Sequence, residues 1–495
     1  MRRRWTAWLL LAASWLLAAP AWAVSHVFLV QNSGWMEPFY TDPNSQFKPL
    51  VAAVANAAVA PGDALVLAAF NQSLPDAPSP RALLARRADG DTGRAVRAAL
   101  QPLEPARKPG SKAYADTDLS EAVGSAVRTA LHGRPGLVWV FTNNRNSPNN
   151  DQATARRNRE FYQLIHQGGD IRMALAYPLR MPVQGGVYKA NGLMVYVFAV
   201  GEEGARDLKA LLASGRIGKV ITEPAARLKP LDRDTVRLLP VRVSEAPGVG
   251  FSMAPNGALL ADVDSDARSP AARIDWQLEN TIYPYTIAAA RVTARSLLAR
   301  EDRPVVLAKD QVARLAPGSA VPLSSTMQLP VAQLPSVWSL QAFKSAGSAY
   351  ILPGSIQVQL TGQRLELSQA FRTRMEELFP GDPLPDIFTP PADIHGSTAV
   401  LPLQVRVHFG MAPLAILAGG ALALLAAGGG ALYAYNRPRQ VVLNVDGERR
   451  TVRTRAGSVQ PVYDRSGAVA AQLKTTLFGH QLVDLREGAQ VSLQT

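Results

Sequence analysis

Cysteine is absent from the 495-residue sequence, which excludes disulfides, thiolate nucleophiles and Cys-ligated zinc together. A chain without cross-links is held by its cores alone. Histidine is scarce, at 6 residues, and there is no His-Glu-x-x-His pair, no Gly-x-Ser-x-Gly elbow and no Gly-rich phosphate loop ending in Lys-Ser/Thr. Ser33 has no His or Lys near it in sequence to activate it. No catalytic residue is assigned, the chain reads as a non-enzyme, and hydrolase is the least supported class. Charge is thin as well: 18% of residues are charged against 47% apolar, the balance of folded domains rather than of a disordered chain. The formal charge of +13 favours anionic surroundings, but the Arg residues are scattered instead of clustered with aromatics, which argues against nucleic acid.

Uninterrupted apolar runs are few, and the two that exist set the expected topology. Met1 and the basic Arg2 to Arg4 precede an apolar stretch from Trp5 to Ala19 and then Pro20-Ala21-Trp22-Ala23. That is the layout of a secretory signal peptide over 1–23, cleaved after Ala23. From Met411 to Tyr435 the chain is almost wholly Ala, Leu and Gly, long enough to cross a hydrocarbon layer of about 30 Å. Arg437, Arg439, Arg449, Arg450, Arg453 and Arg455 follow it, against Arg406 and His408 before it. By that asymmetry the tail 436–495 is cytoplasmic and the region 24–410 periplasmic, in a single-pass protein of the inner membrane. Gly419, Ala423, Ala427 and Ala431 recur every fourth residue, a stripe that allows a second helix to approach and the chain to self-associate. Ala and Gly are dense enough here for that spacing to arise by chance.

After residue 24 apolar strands alternate with helical periods, the pattern of an α/β doubly wound domain expected over 24–242. Val27–Val30, Ala64–Phe70 and Leu137–Phe141 read as buried strands. Helices are expected from about Pro49 to Val59, Gly93 to Leu100 and Leu119 to Leu131, the last opened by a capping box at Asp118-Leu119-Ser120-Glu121. Strands near Ile171–Tyr177 and Leu193–Val200 and a helix over Glu203–Leu212 follow. Open sheets of this kind bind ligands at the carboxyl ends of their strands.

Three loops stand at those ends: Gln31-Asn32-Ser33-Gly34-Trp35-Met36, Ala115-Asp116-Thr117-Asp118-Leu119 and Thr142-Asn143-Asn144-Arg145-Asn146. In sequence, spacing and order they resemble the von Willebrand factor type A (vWA) domain over about Val24 to Gly201. In that family the first loop reads Asp-x-Ser-Gly-Ser-Met, the second carries a Thr before an apolar helix, and the third reads Thr-Asp-Gly. The resemblance implies a metal-ion-dependent adhesion site in which a ligand carboxylate completes the coordination of a divalent cation. Ser33 and Thr117 are kept, but Gln31, Trp35 and Asn143 replace Asp, Ser and Asp. Mg²⁺ and Ca²⁺ want anionic oxygen, so the site is degenerate. No metal ligand is assigned, no cofactor is expected, and a weak or altered cation site remains as the alternative, with Asp116 or Asp118 lending a carboxylate. The expected ligand-binding set is Gln31, Ser33, Trp35, Thr117 and Asn143, facing a protein partner in the envelope; Trp35 reads equally as a binding anchor and as a packed lid.

From 243 to 410 short apolar stretches separated by Pro, Gly, Ser and Asp read as an Ig-like β-sandwich region of one or two modules, with a helix near Gln369–Leu378. Asp262, Asp264 and Asp266 lack the Gly and distal Glu of a calcium loop and read as a solvated turn. The tail 436–495 alternates around Asp446-Gly447 and Arg465-Ser466-Gly467, as a small β domain does. The functional expectation is a membrane-anchored protein that binds a partner through the vWA-like loop face. The alternative is a structural subunit of an envelope or secretion assembly whose β-rich region makes the contacts.

Overall fold

The computed structural model describes residues 23–146, 152–244, 247–264, 271–298, 301–328, 335–336, 338–345, 348–381, 385–409 and 411–494. The expected signal peptide, apart from Ala23, and Asp266 lie outside them. The chain divides into two compact units: residues 1–263, 267–333 and 352–405 form the first, and 264–266, 334–351 and 406–495 the second.

The first unit opens with β1 (Ser25–Gln31), α1 (Phe47–Ala58), β2 (Ala64–Phe70), β3 (Arg81–Arg87), α2 (Thr92–Leu100), α3 (Leu119–Ser125), β4 (Gly136–Thr142), α4 (Gln152–His166), β5 (Ile171–Gln184), β6 (Lys189–Val200), α5 (Gly201–Ala213) and β7 (Ala226–Lys229). The strands make one sheet in the order β3-β2-β1-β4-β6-β5-β7. β1 is central and parallel to both β2 and β4. Its side chains alternate between two cores, Phe28 and Val30 packing with α1, α2 and α5, and Val27 and Leu29 with α3 and α4. A strand buried on both faces must be apolar throughout, which is why it was legible.

Beyond β4 the doubly wound reading fails. β6 pairs antiparallel with β4, β5 antiparallel with β6, and β7 antiparallel with β5. β5 runs on through Pro178 and Pro182 to Gln184, so only residues 185–188 separate it from β6. That is a hairpin connection, too short for the crossover of about a dozen residues that a parallel pair requires. β3 was not expected: its Arg-rich sequence carries no alternation, as suits an exposed edge strand.

The β-rich part holds β8 (Val236–Ser244), β9 (Val249–Met253), β10 (Leu259–Asp264), β11 (Ala271–Asn280), β12 (Tyr285–Leu298), β13 (Glu301–Leu307), β14 (Gln311–Leu315), β15 (Ala320–Gln328), β16 (Ala349–Leu367) and β17 (Gly396–His408). They run β8-β11-β15-β13-β12-β16-β17-β10-β9, with β14 beside β12. β13 pairs with β12 through Glu301–Val305 and with β15 through Val306–Leu307, so a single strand links the two halves of this region, for which the sequence left one or two modules open. Asp262 and Asp264 lie on β10 instead of in a turn.

Between β16 and β17, α6 (Gln369–Leu378) returns to the α/β sheet. Ser368 caps it by accepting from the Phe371 N–H. Phe371, Met375, Leu378 and Phe388 join the core face of β6 that carries Met194, Tyr196 and Phe198. The hairpin β5–β6 contains no helix of its own for that face, and α6 completes the cover that Phe161 of α4 begins.

The second unit contains α7 (Ala412–Asn436), then β18 (Arg439–Val445), β19 (Glu448–Thr454), β20 (Val459–Tyr463), β21 (Val469–Thr475), β22 (His480–Val483) and β23 (Val491–Gln494). Within α7, Leu414–Asn436 is apolar and long enough to cross a membrane, with none of it buried. The strands form two three-stranded sheets, β19-β18-β23 and β20-β21-β22. Val441, Leu443 and Val445 of one share a core with Val462, Ala471 and Leu473 of the other.

Candidate functional site at the loop face

The carboxyl ends of β1 and β4 bring the three loops together. β1 ends in Gln31, whose side chain is fully buried between them. Gln31 Nε2 donates to Ser33 Oγ at 2.7 Å and to Thr117 Oγ1 at 2.9 Å, and Thr117 Oγ1 donates onward to Ser33 Oγ at 2.6 Å. The opposite end of the amide is filled too: Gln31 Oε1 accepts from the Thr142 hydroxyl and, at 3.1 Å, from the Asn143 N–H. Tyr40 donates to the Gln31 carbonyl at 2.7 Å, and burial holds its hydroxyl well above its ordinary pKa. Every polar atom of the Gln31 side chain therefore has a partner, as burial demands. Gly34 belongs to the same fit: its N–H donates to Ala115 O at 2.9 Å, and a Cβ there would stand 2.5 Å from Tyr114 Cβ.

The third loop turns on Asn144, at φ 69°, a left-handed conformation that Asn tolerates better than most residues. The turn aims Asn143 at the first loop, where its Nδ2 donates to Trp35 O at 3.0 Å. Asn146 holds the second loop, accepting from Thr117 N at 2.9 Å through its carbonyl and from Leu119 N at 3.1 Å through its side chain.

The residues present do not fit a hard divalent cation. At the centre, the Gln31 amide nitrogen points hydrogens at the two hydroxyls that the resemblance would assign to metal. Both nearby carboxylates are engaged elsewhere. Asp116 lies 2.8 Å from Lys108 Nζ. Asp118 caps α3 by accepting from Glu121 N at 2.9 Å and sits 3.6 Å from Arg157 Nε.

Trp35 stands in front of this buried network, partly buried. Its ring packs on Tyr188 with centroids 4.6 Å apart, and the Arg145 guanidinium lies 4.5 Å from its centroid, a cation–π distance. Arg145 also donates to Pro380 O at 2.9 Å. Beside the stack opens a cavity of about 200 Å³ lined by Trp35, Asn143, Arg145, Lys189, Asn191 and Phe379 among others, with no acidic side chain among the described residues of its wall.

Tyr188 belongs to the β5–β6 turn, and Glu37 pins that turn. The buried Glu37 carboxylate accepts from Gly186 N at 2.8 Å and approaches Val187 N and Tyr188 N at 3.4 Å. A Cβ at residue 185 would lie 2.0 Å from that carboxylate, which is why Gly185 stands there.

Comparison with known proteins adds little. No protein-family model matches the sequence, nor does any curated protein. Among solved structures the chain is similar to the von Willebrand factor type A protein from Catenulispora acidiphila, at 10% identity over 70% of this chain and 64% of that one, TM-score 0.23. It is also similar to the pilus adhesin SpaC from Lactobacillus rhamnosus GG in its open conformation, at 8% identity over 95% of this chain and 83% of that one, TM-score 0.18. The chain thus spans 64% of the first protein's length. Superpositions this loose carry no argument, and the functional reading rests on the residues themselves.

The five residues singled out in the sequence do converge, in different roles. Gln31, Ser33 and Thr117 are wholly buried and face one another, Asn143 bridges inward to Trp35, and of the five Trp35 alone is only partly buried. Sequence reasoning missed Thr142, Arg145, Tyr188 and Lys189 as parts of the site. Thr142 and Arg145 were within the quoted third loop, whereas Tyr188 and Lys189 arrive only because β5 and β6 form a hairpin.

Proposed function

We propose that this is an exported protein anchored by α7, with residues 24–410 outside the cytoplasm and the tail inside, and that it binds a protein partner through the loop face without a metal and without catalysis. The observation that carries the reading is Trp35, a partly buried aromatic held by Tyr188 and Arg145 at the mouth of a cavity whose described lining includes the cationic Arg145 and Lys189. Anchored aromatics with Arg beside them are the usual energetic centre of an interface. The charge of Arg145 and Lys189 suits a carboxylate-bearing segment of the partner.

Behind Trp35, the Gln31 amide supplies by hydrogen bonding the cross-linking of Ser33 and Thr117 that a cation would otherwise give. In α7 the stripe Gly419, Ala423, Ala427 and Ala431 leaves a face on which a second copy could pack.

The test is crosslinking and affinity purification from detergent-solubilised membranes. Trp35→Ala is expected to lose about 2 kcal/mol of partner binding with its melting temperature little changed. Undiminished capture by folded Trp35→Ala and Arg145→Ala variants would overturn the reading and move the contact to the β-rich region, as in a structural subunit. Protease added to intact spheroplasts checks the topology, since the bulk should be digested and the tail spared.

A further inference from the structure

The strand register of the C-terminal β unit sorts its charges to opposite ends. β18 begins at Arg439, three residues beyond the end of α7, and Arg439 pairs with Thr454 while Gln440 pairs with Arg453. In the other sheet Val459 pairs with Lys474 and Thr475 with His480. The two sheets meet at this end through the Thr454–Thr475 hydroxyl contact at 2.7 Å. Arg437, Arg439, Arg453, Arg455 and Lys474 therefore crowd the end next to the helix. None of the ion pairs found among the described residues involves any of them.

All five acidic residues of the tail lie elsewhere. Asp446 and Glu448 sit at the β18–β19 turn, Asp464 at the β20–β21 turn, and Asp484 and Glu487 beyond the far end of β22. There Arg465 pairs with Glu448 at 2.8 Å and Arg486 with Asp464 at 3.5 Å.

The basic end also carries the most exposed apolar side chain of the unit. The β21–β22 loop, Thr476-Leu477-Phe478-Gly479, leaves Phe478 100% and Leu477 48% exposed. Its position is fixed relative to the helix end. Arg439 Nη1 donates to Leu477 O at 3.1 Å, Gly457 N donates to Thr475 O at 2.8 Å, and the Tyr435 hydroxyl of α7 lies so near Gly457 that a Cβ there would stand 2.2 Å from it. An aromatic with no cover, ringed by unpaired cations and tied to the end of an apolar helix, has the composition of a headgroup-boundary anchor.

We propose that this end of the β unit seats on the anionic headgroups of the bilayer that α7 crosses, with Leu477 and Phe478 dipping into the acyl boundary and Arg437, Arg439, Arg453, Arg455 and Lys474 on lipid phosphates. The inference rests on α7 spanning the membrane. Seating holds the β unit upright and sends its acidic end away from the surface, since a basic patch is attracted to an anionic leaflet within about a Debye length.

The absence of cysteine makes the test clean. Full-length protein with a single Phe478→Cys, Ser466→Cys or Leu424→Cys change is labelled with a small apolar fluorophore and reconstituted into vesicles of phosphatidylglycerol and phosphatidylcholine that carry shallow or deep nitroxide lipids. The label at 478 is expected to be quenched several-fold more by shallow nitroxides than the label at 466, and to lose that difference in vesicles of phosphatidylcholine alone or when Arg439 and Arg455 are both changed to Gln. Equal quenching at 478 and 466 would overturn the seating. A label at 478 shielded from aqueous quencher yet untouched by lipid nitroxides would also overturn it, pointing to a protein or a second copy as the cover. The label at 424 reports the helix itself, and failure of deep nitroxides to quench it would sink the anchoring reading separately.

Discussion

Gln31 Nε2 donates to Thr117 Oγ1 across 2.9 Å although 86 residues separate them in sequence. The same nitrogen reaches Ser33, so one neutral amide ties the first loop to the second. Gln31→Asp removes both donated bonds and puts a carboxylate among the hydroxyls, at an expected cost of about 1–3 kcal/mol or more. The native protein is expected to show no rise in melting temperature with Mg²⁺ or Ca²⁺, whereas the Asp variant should recover part of its loss. Full occupancy at a hundredfold excess over Kd is worth about 2.7 kcal/mol. A chelator-reversible stabilisation of the native protein would show that the amide does not do the work assigned to it.

Glu37 governs the site from behind. Its carboxylate holds the turn that presents Tyr188 to Trp35, so Glu37→Ala is expected to cost about 1–3 kcal/mol through orphaned N–H groups and to weaken partner capture as well. Hydrogen exchange should rise at residues 185–188 before it rises in β1 or β4. Uniform exchange would mean that the turn does not depend on Glu37.

Asp63 sets an acid limit. Burial, the largest single influence, pushes its pKa up, but His26 with its Nε2 at 3.6 Å and hydrogen bonds from Ala60 N and Val24 N pull it below its ordinary 3.8. A depressed carboxylate contributes stability that is complete above the unfolded-state pKa and is lost as pH falls through the folded one. Melting temperature is therefore expected to drop as pH goes below about 3.8. Asp63→Asn should flatten that drop while lowering stability at neutral pH by about 1–3 kcal/mol. An unchanged acid limb in the Asn variant would assign it to other carboxylates.

The α/β core is not complete by residue 242. Phe371 is 1% exposed and meets Phe388 at 4.9 Å between ring centroids, and Phe371→Ala is expected to cost about 3–5 kcal/mol. A fragment of residues 24–242 should bind a hydrophobic dye and melt without a cooperative transition, whereas 24–409 should fold. A stable, dye-silent short fragment would show that α6 is an accessory.

The sequence by itself determined the elements whose signal is local. β1, β2 and β4 are buried on both faces and so are continuously apolar. Asp118 announces the start of α3, and α7 is a long run without charge. The three loops could be placed at one end of the sheet because parallel strands with crossover helices put their carboxyl ends together.

Only the tertiary structure decided the rest. The strand expected near Ile171–Tyr177 runs on through Pro178 and Pro182 to Gln184 and folds back on β6, a pairing set by cross-strand partners such as Tyr196 opposite Ala176 rather than by propensity. One face of that hairpin is covered by α4 and completed by α6 from about 170 residues away, a distance no local pattern reports. Tyr188 and Lys189 came to the site by the same turn. The hydrogen-bond partners of Gln31 were likewise decided by the fold, which brings two hydroxyl acceptors to its amide nitrogen and two donors to its amide oxygen from loops distant in sequence.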